Sequence, residues 1–289
     1  MDKILILDFG SQTTQLIGRR IRDLGVYTEI IPGDAPLDRI LDSASGRVKG
    51  IVLSGSPESV YTSEGAAPVK ELYGCGLPLL GICYGLQRMN HDRGGIVEPL
   101  PEREYGAKIV SIAPGALDGI KGENGKRAAA FLGAFGGSIT AWMSHGDTLT
   151  KLAPGFREAG KSATGYPAVV IHETESWFGL QFHPEAAHCE RGREILSAFV
   201  FAVCGCGAGW TMERYIRETG EGIAERVGKN EVLLLVSGGV DSTVAGALLL
   251  KTLDPRQVHL MYMDTGLMRK DETAQVKATL EKLGAAHLH

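Results

Sequence analysis

The sequence predicts an α/β protein: a doubly wound, mostly parallel sheet domain, followed by an incomplete second parallel α/β domain. Three observations predict it. Short apolar runs recur, each followed by a Gly-containing turn and a segment of helical period, the alternation of βαβ units. The 39 glycines are scattered with no Gly-X-Y period, which suits many tight strand-to-helix turns. At roughly 150 residues per domain, 289 residues are too long for one average domain and about right for two.

Taken in order, residues 4–7 read as a buried strand. Residues 12–24 form a helix, with Leu16, Ile17, Ile21 and Leu24 on one face. Residues 27–31, 50–53 and 77–82 are the next strands, and this alternation predicts a parallel sheet with helices on both faces. From about 97 to 182 the texture changes to shorter strands with Pro and Gly breaks. The Gly- and Ala-rich stretch 115–137 is expected to hold a long surface loop, and 193–203 to be a closing helix. Residues 204–209, Cys-Gly-Cys-Gly-Ala-Gly, read as a linker, which sets the domains at 1–209 and 210–289. A second βαβ series follows: helix 211–227 capped by Thr211, strand 231–236, helix 241–253, strand 258–263 and helix 271–283. Residues 285–289 look like the opening of another strand.

Composition excludes several classes. With 44% apolar and 22% charged residues the chain is neither disordered nor fibrous. Its net charge of −4 gives no nucleic-acid footprint and no membrane-surface stripe. The opening apolar run is too short for a signal peptide, and no run approaches 18 apolar residues. Five cysteines, an odd number in a long chain, argue for free thiols. A cytoplasmic protein is therefore expected.

Two segments carry chemistry in the first domain. Gly81-Ile82-Cys83-Tyr84-Gly85 follows a strand and opens a helix. This is the form of a nucleophile elbow, where glycines permit the sharp turn that lifts the nucleophile to the sheet edge. A helix N-terminus also favours the thiolate, the reactive form. Taken alone, Cys83 reads equally well as a buried structural cysteine. Gly179-Leu180-Gln181-Phe182-His183-Pro184-Glu185 ends an apolar strand. A carboxylate two residues from an imidazole can orient it and stabilise its charged form, the Cys-His-acid version of triad logic.

Together these segments closely resemble class I glutamine amidotransferase domains. The resemblance implies that Cys83 attacks the side-chain amide of glutamine, His183 shuttles protons and Glu185 orients His183. Ammonia then leaves from a thioester. Leu53-Ser54-Gly55-Ser56-Pro57 resembles the family's oxyanion loop, so the N–H groups of Gly55 and Tyr84 are expected to face the developing charge. Ser56 stands where the family usually has a second glycine, a change that keeps a backbone donor. By the same resemblance Gln87 and the Met143-Ser144-His145-Gly146-Asp147 segment line the glutamine pocket.

The second domain carries Ser237-Gly238-Gly239-Val240-Asp241-Ser242 between a strand and a helix. Its glycines let backbone N–H groups close around a phosphate, with the helix N-terminus adding favourable potential. Asp241, an acid inside such a loop, is assigned to hold Mg²⁺ against the phosphates of ATP. The segment resembles the PP-loop of ATP pyrophosphatases, which cleave ATP to AMP and pyrophosphate. Met263 and Asp264, at the end of the next strand, are then expected near the nucleotide. A rival segment, Gly155 to Ser162, fits G-x-x-x-x-G-K-S literally. However, Pro154 precedes it, and Gly165 and Pro167 would break a following helix, so a polar turn and short strand are expected instead. His183, His188 and Cys189, and the Cys204/Cys206 pair, lack the spacing of a zinc site, so no metal is expected at either.

A PP-loop domain directly after a class I glutaminase resembles glutamine-dependent nucleotide synthetases. Supporting matches are Pro101 to Gly106, Met143 to Asp147, Trp210 to Glu213 and Met263 to Arg269. The resemblance implies glutamine, ATP and xanthosine 5′-monophosphate as substrates, Mg²⁺ with the ATP, and a homodimer for the whole protein. Adenylylated xanthosine monophosphate would be aminated to GMP, releasing AMP and pyrophosphate. Members of that family continue well past residue 289, so a truncated second domain is expected. The alternative is a chain that acts only as a glutaminase, or an inactive nucleotide-binding fragment.

Overall fold

The apolar runs of the N-terminal half lie side by side as parallel strands. In the computed structural model, which describes residues 1–42, 46–62 and 67–289, the chain divides into two units, Met1–Trp210 and Thr211–His289. The first unit begins with β1 (Asp2–Asp8), α1 (Thr14–Arg22), β2 (Tyr27–Pro32), a short α2 (Leu37–Ile40) and β3 (Arg47–Leu53). Then come β4 (Leu79–Ile82), α3 (Tyr84–Asp92), β5 (Ile96–Ile112), α4 (Gly122–Gly133) and β6 (Ser138–Lys151). The unit closes with β7 (Phe156–Ser162), β8 (Pro167–His172), β9 (Trp177–Leu180) and α5 (Gly192–Ser197), which runs on as a π-helical turn over Ala198–Val203.

The nine strands form one sheet in the order β2-β1-β3-β4-β9-β8-β7-β5-β6. Strands β2, β1, β3, β4 and β9 are parallel to one another, and β8, β7, β5 and β6 extend the sheet by antiparallel pairing. Both faces of the parallel part are covered. Ile4 and Ile6 of β1 belong to one apolar cluster, with Ile17 and Ile21 of α1. Leu5 and Leu7 belong to the other, with Leu86 and Met89 of α3. Successive side chains of a strand point to opposite faces, so a run of four apolar residues in a strand must be buried on both.

Three expectations are corrected. The stretch 115–137 is no surface loop: it contains α4, whose Ala128, Phe131 and Leu132 are buried with Phe135 in the first cluster. Its glycines sit at the helix ends and turns, while the apolar i, i+3, i+4 spacing builds the helix. The region 97–182 holds the short strands expected, β7, β8 and β9, but also two long ones, β5 and β6. Pro99 and Pro101 are accommodated because the pairing slips between Pro99 and Glu104, where no N–H is required. The start of the expected linker is packed, with Cys204 and Cys206 buried in the first cluster. A Cβ on Gly50 would lie 2.3 Å from Cys204 Sγ, so the thiol fills the space that a side chain at 50 would take. The Gly155–Ser162 segment is an antiparallel strand, β7, paired with β8, and offers no strand-to-helix phosphate loop.

The second unit holds α6 (Met212–Val227), β10 (Val232–Val236), α7 (Val240–Thr252), β11 (Val258–Tyr262), α8 (Glu272–Lys282) and β12 (His287–Leu288). Thr211 caps α6, accepting from Arg214 N–H at 3.1 Å. Its three strands are parallel in the order β10-β11-β12. Its separate core includes Val236, Leu250, Val258, Leu260, Val276 and Leu280. Among the described residues no helix is long and apolar enough to cross a membrane.

Candidate active site

Cys83 stands at the joint between β4 and α3 with φ 53° and ψ −108°, a conformation costly for a residue with a Cβ. The two glycines around it are sterically required. A Cβ on Gly81 would lie 2.5 Å from Leu86 N, and one on Gly85 would lie 2.3 Å from Leu53 O. Both obstacles are backbone and cannot swing aside. The turn is held to the neighbouring strand by Cys83 N–H donating to Leu180 O at 2.7 Å. Cys83 is thus presented at the end of the parallel strands, where α/β sheets bind ligands.

The same parallel pairing of β4 with β9 brings His183 to Cys83 although they are far apart in sequence. His183 and Cys83 line the same cleft, and His183 Nδ1 lies 2.7 Å from Glu185 Oε1. Glu185 is fully buried, and Arg20 of α1 anchors its backbone, donating from Nε to Glu185 O at 3.1 Å. Burial opposes a charge on His183. The bond to Cys83 and the bond and charge of Glu185 outweigh it, pushing the imidazole up to about 10. The imidazole is therefore held in its charged form beside the Cys83 side chain.

Gly55 lies against this pair: a Cβ there would be 3.3 Å from His183 Cε1. Its peptide is fixed by Ser54, whose Oγ donates to Gly55 O at 2.9 Å and accepts from Phe9 N–H at 3.0 Å. Tyr84, one residue past the nucleophile, opens α3, where N–H groups point out of the helix end. Ser56 Oγ accepts from Glu58 N–H at 3.1 Å, so the serine stabilises the loop turn.

A cleft of about 760 Å³ opens over Cys83 and His183, bordered by Gln87, Ser144, His145 and Arg103. His145 is buried, its Nδ1 donating to Asp147 O at 2.8 Å. Its Nε2 lies 2.9 Å from Glu104 Oε2, close but not aligned for a hydrogen bond. Burial lowers the His145 pKa, against the raising effect of the Asp147 carbonyl and Glu104. Asp147 joins three segments. Its carboxylate accepts from Ser59 Oγ at 2.6 Å and Tyr61 Oη at 2.9 Å, both on the Gly55 loop, while its carbonyl accepts from Gln87 and His145.

Several of these residues escape sequence reasoning. Arg103 and Glu104 lie in a quoted motif, but nothing in the spacing separates the cleft-lining Arg103 from the buried Glu104 except the strand alternation of β5. Ser59 and Tyr61 reach Asp147 only through folding. Gln181 sits two residues before His183, and only its strand position indicates that it faces Cys83.

In the second unit, Ser237–Ser242 joins β10 to α7. Gly238 has φ 82°, and a Cβ there would lie 2.6 Å from Val276 Cγ2, so glycine is required. Ser242 Oγ accepts from Ser237 N–H at 3.2 Å and Thr243 Oγ1 donates to Gly239 O at 2.8 Å, closing the turn. Gly239 caps α7, Val240 begins it and Asp241 stands exposed in its first turn. The pairing of Val236 with Tyr262 puts Ser237 and the exposed Met263 side by side at the carboxyl edge of the sheet. Asp264 accepts from Thr273 Oγ1 at 2.7 Å and Gly266 N–H at 2.8 Å, and these bonds hold its carboxyl below its ordinary range.

Residues 5–203 match the family model described as glutamine amidotransferase class-I. The chain belongs to the class-I glutamine amidotransferase family. Residues 214–289 match the model described as NAD synthase, which covers the phosphate-loop segment. A glutamine-hydrolysing GMP synthase of Enterococcus faecalis is 42% identical over 280 residues, covering 97% of this chain and 51% of that protein. One of Neisseria gonorrhoeae is 41% identical over 290 residues, covering 100% and 53%. The chain thus spans about half the length of these curated relatives. A crystal structure from Thermoplasma acidophilum, provisionally assigned as one component of a GMP synthase, is 29% identical with a TM-score of 0.57. It covers 75% of this chain and 98% of its own.

Proposed function

We propose that the first unit hydrolyses glutamine and that the chain supplies this ammonia to the amination of xanthosine 5′-monophosphate, the reaction of a glutamine-hydrolysing GMP synthase. The observation that carries the proposal is the meeting of Cys83, His183 and Glu185 at the end of the parallel sheet, under one cleft. The identity of 41–42% to GMP synthases along nearly the whole chain supports the nucleotide half.

In this reading Cys83 attacks the glutamine side-chain carbonyl as a thiolate, its proton already resting on His183. The N–H groups of Gly55 and Tyr84 stabilise the oxyanion, a contribution worth about 3–4 kcal/mol per donor in comparable sites. His183, oriented by Glu185, returns the proton to the leaving ammonia, and water then releases glutamate from the thioester. Gln87, Ser144 and His145 line the glutamine pocket.

The donor set of Ser237, Gly238, Gly239, Val240, Asp241 and Ser242 fits a polyphosphate: two hydroxyls, a glycine turn and a helix N-terminus. We assign ATP to this loop, with Met263 beside it; Asp241 would hold Mg²⁺, which would offset the charge of the phosphates. ATP supplies the activation of the purine oxygen. Activity in the cytoplasm follows from these soluble substrates.

Ammonia and pyrophosphate release by the intact chain test the proposal, measured with and without ATP, Mg²⁺ and xanthosine monophosphate. Ammonia release lost in Cys83→Ala is the expected result. Hydrolysis that survives Cys83→Ala would overturn the glutaminase reading. Glutaminase activity with no pyrophosphate under any condition would restrict the chain to its amidotransferase half.

A further inference from the structure

Gln181 is buried, 1% exposed, and nothing in the triad chemistry uses it. Its Nε2 lies 3.6 Å from Cys83 Sγ, within reach of an N–H···S hydrogen bond. An amide can be turned end for end, so the donor must be identified from its partners. Here one fixed acceptor decides the whole chain of bonds. Asp147 O is a carbonyl and can only accept, so the Gln87 atom 3.0 Å from it is the amide nitrogen. That same nitrogen lies 3.2 Å from Gln181, which must therefore present its oxygen. The Gln181 nitrogen is left facing the sulfur.

Resting on the triad reading above, we propose that Gln181 is a positioning residue that donates to the Cys83 thiolate and stabilises it, with Gln87 holding its amide in the donating orientation. A buried anion without donors is costly, and Ser144 O, 3.9 Å from the sulfur, can only accept and offers it none. Gln181 supplies a donor that carries no titratable proton. It also links the nucleophile to the main chain of the Ser144–Asp147 segment that lines the cleft, through Gln87 and Asp147 O. Such a bond favours the charged form of the sulfur over the neutral one.

The test is the pH dependence of Cys83 alkylation by iodoacetamide in the full chain, followed by mass spectrometry so that the other four cysteines are read separately. Gln181→Met keeps the length and apolar stem but has no N–H. Its alkylation midpoint is expected to rise by about half to one pH unit, a roughly three- to tenfold loss of thiolate at a fixed lower pH. The limiting rate at high pH should stay unchanged, as should the KM for glutamine. Gln181→Glu, which keeps the oxygen that Gln87 needs, should raise the midpoint at least as far and serves if the methionine variant fails to fold. Unchanged midpoints in folded variants would overturn the proposal. A parent chain whose Cys83 shows no lowered midpoint relative to Cys83 in His183→Asn would instead overturn the triad reading.

Discussion

At the scale of the residue, the site depends on one imbalance: a buried histidine kept charged. Burial alone would leave His183 neutral, and the bond to Cys83 and the bond and charge of Glu185 reverse that, to about 10. In Glu185→Gln the carboxylate charge is gone and burial regains weight. The His183 midpoint, read by NMR, should fall by at least about one unit, and glutamine hydrolysis should drop roughly 10²–10⁴-fold. The sign of the linked stability follows. Because the folded pKa is raised above the ordinary 6.5, its contribution is fully present below about pH 6.5 and is lost as pH rises through about 10. The urea midpoint of the parent should therefore fall over that window, and that of Glu185→Gln should fall less. A His183 titration unmoved by the substitution would show that Glu185 does not set its charge.

At the scale of the element, the elbow is a packing solution as much as a chemical one. Gly85 packs so closely on Leu53 that a methyl group would meet its carbonyl oxygen at 2.3 Å. Gly85→Ala should cost about 2–3 kcal/mol and lower the melting temperature by roughly 5–10 °C. Gly222→Ala is the contrasting case, lying inside α6 with nothing within 4 Å of its Cβ position, and should stabilise by about 0.5–1 kcal/mol. A thermal melt in which Gly85→Ala matches the parent would contradict the steric account. The elbow glycines are readable in the sequence, because G-x-C-x-G after an apolar run states the strand, the turn and the helix at once. So are His183 and Glu185, two residues apart at a strand end. The helix α4 is not, because its glycines outweigh a short apolar pattern that is decided only by packing of Phe131 and Phe135 against Phe178 and Phe182. The link from Gln181 to Cys83, and that from Asp147 to Ser59 and Tyr61, are equally hidden. Such contacts are set by which strands pair, and local periodicity carries no record of that pairing.

At the scale of the whole molecule, the two units have separate cores and the proposed chemistries divide between them. Every residue assigned to glutamine hydrolysis belongs to Met1–Trp210, on a sheet whose parallel strands are buried on both faces. The phosphate loop belongs to Thr211–His289, where β10 turns Val232, Leu234 and Val236 toward the core while Leu233 and Leu235 stand 60% and 68% exposed. The amidotransferase claim can therefore be tested in the intact chain without any turnover of nucleotide. The most direct measurement is labelling by an electrophilic glutamine analogue, with the modified residue located by peptide mass spectrometry. One label per chain is expected, on Cys83, suppressed by free glutamine and strongly slowed in His183→Asn. Labelling shared among Cys75, Cys189 and Cys83, or labelling of Cys83 that glutamine does not suppress, would contradict it.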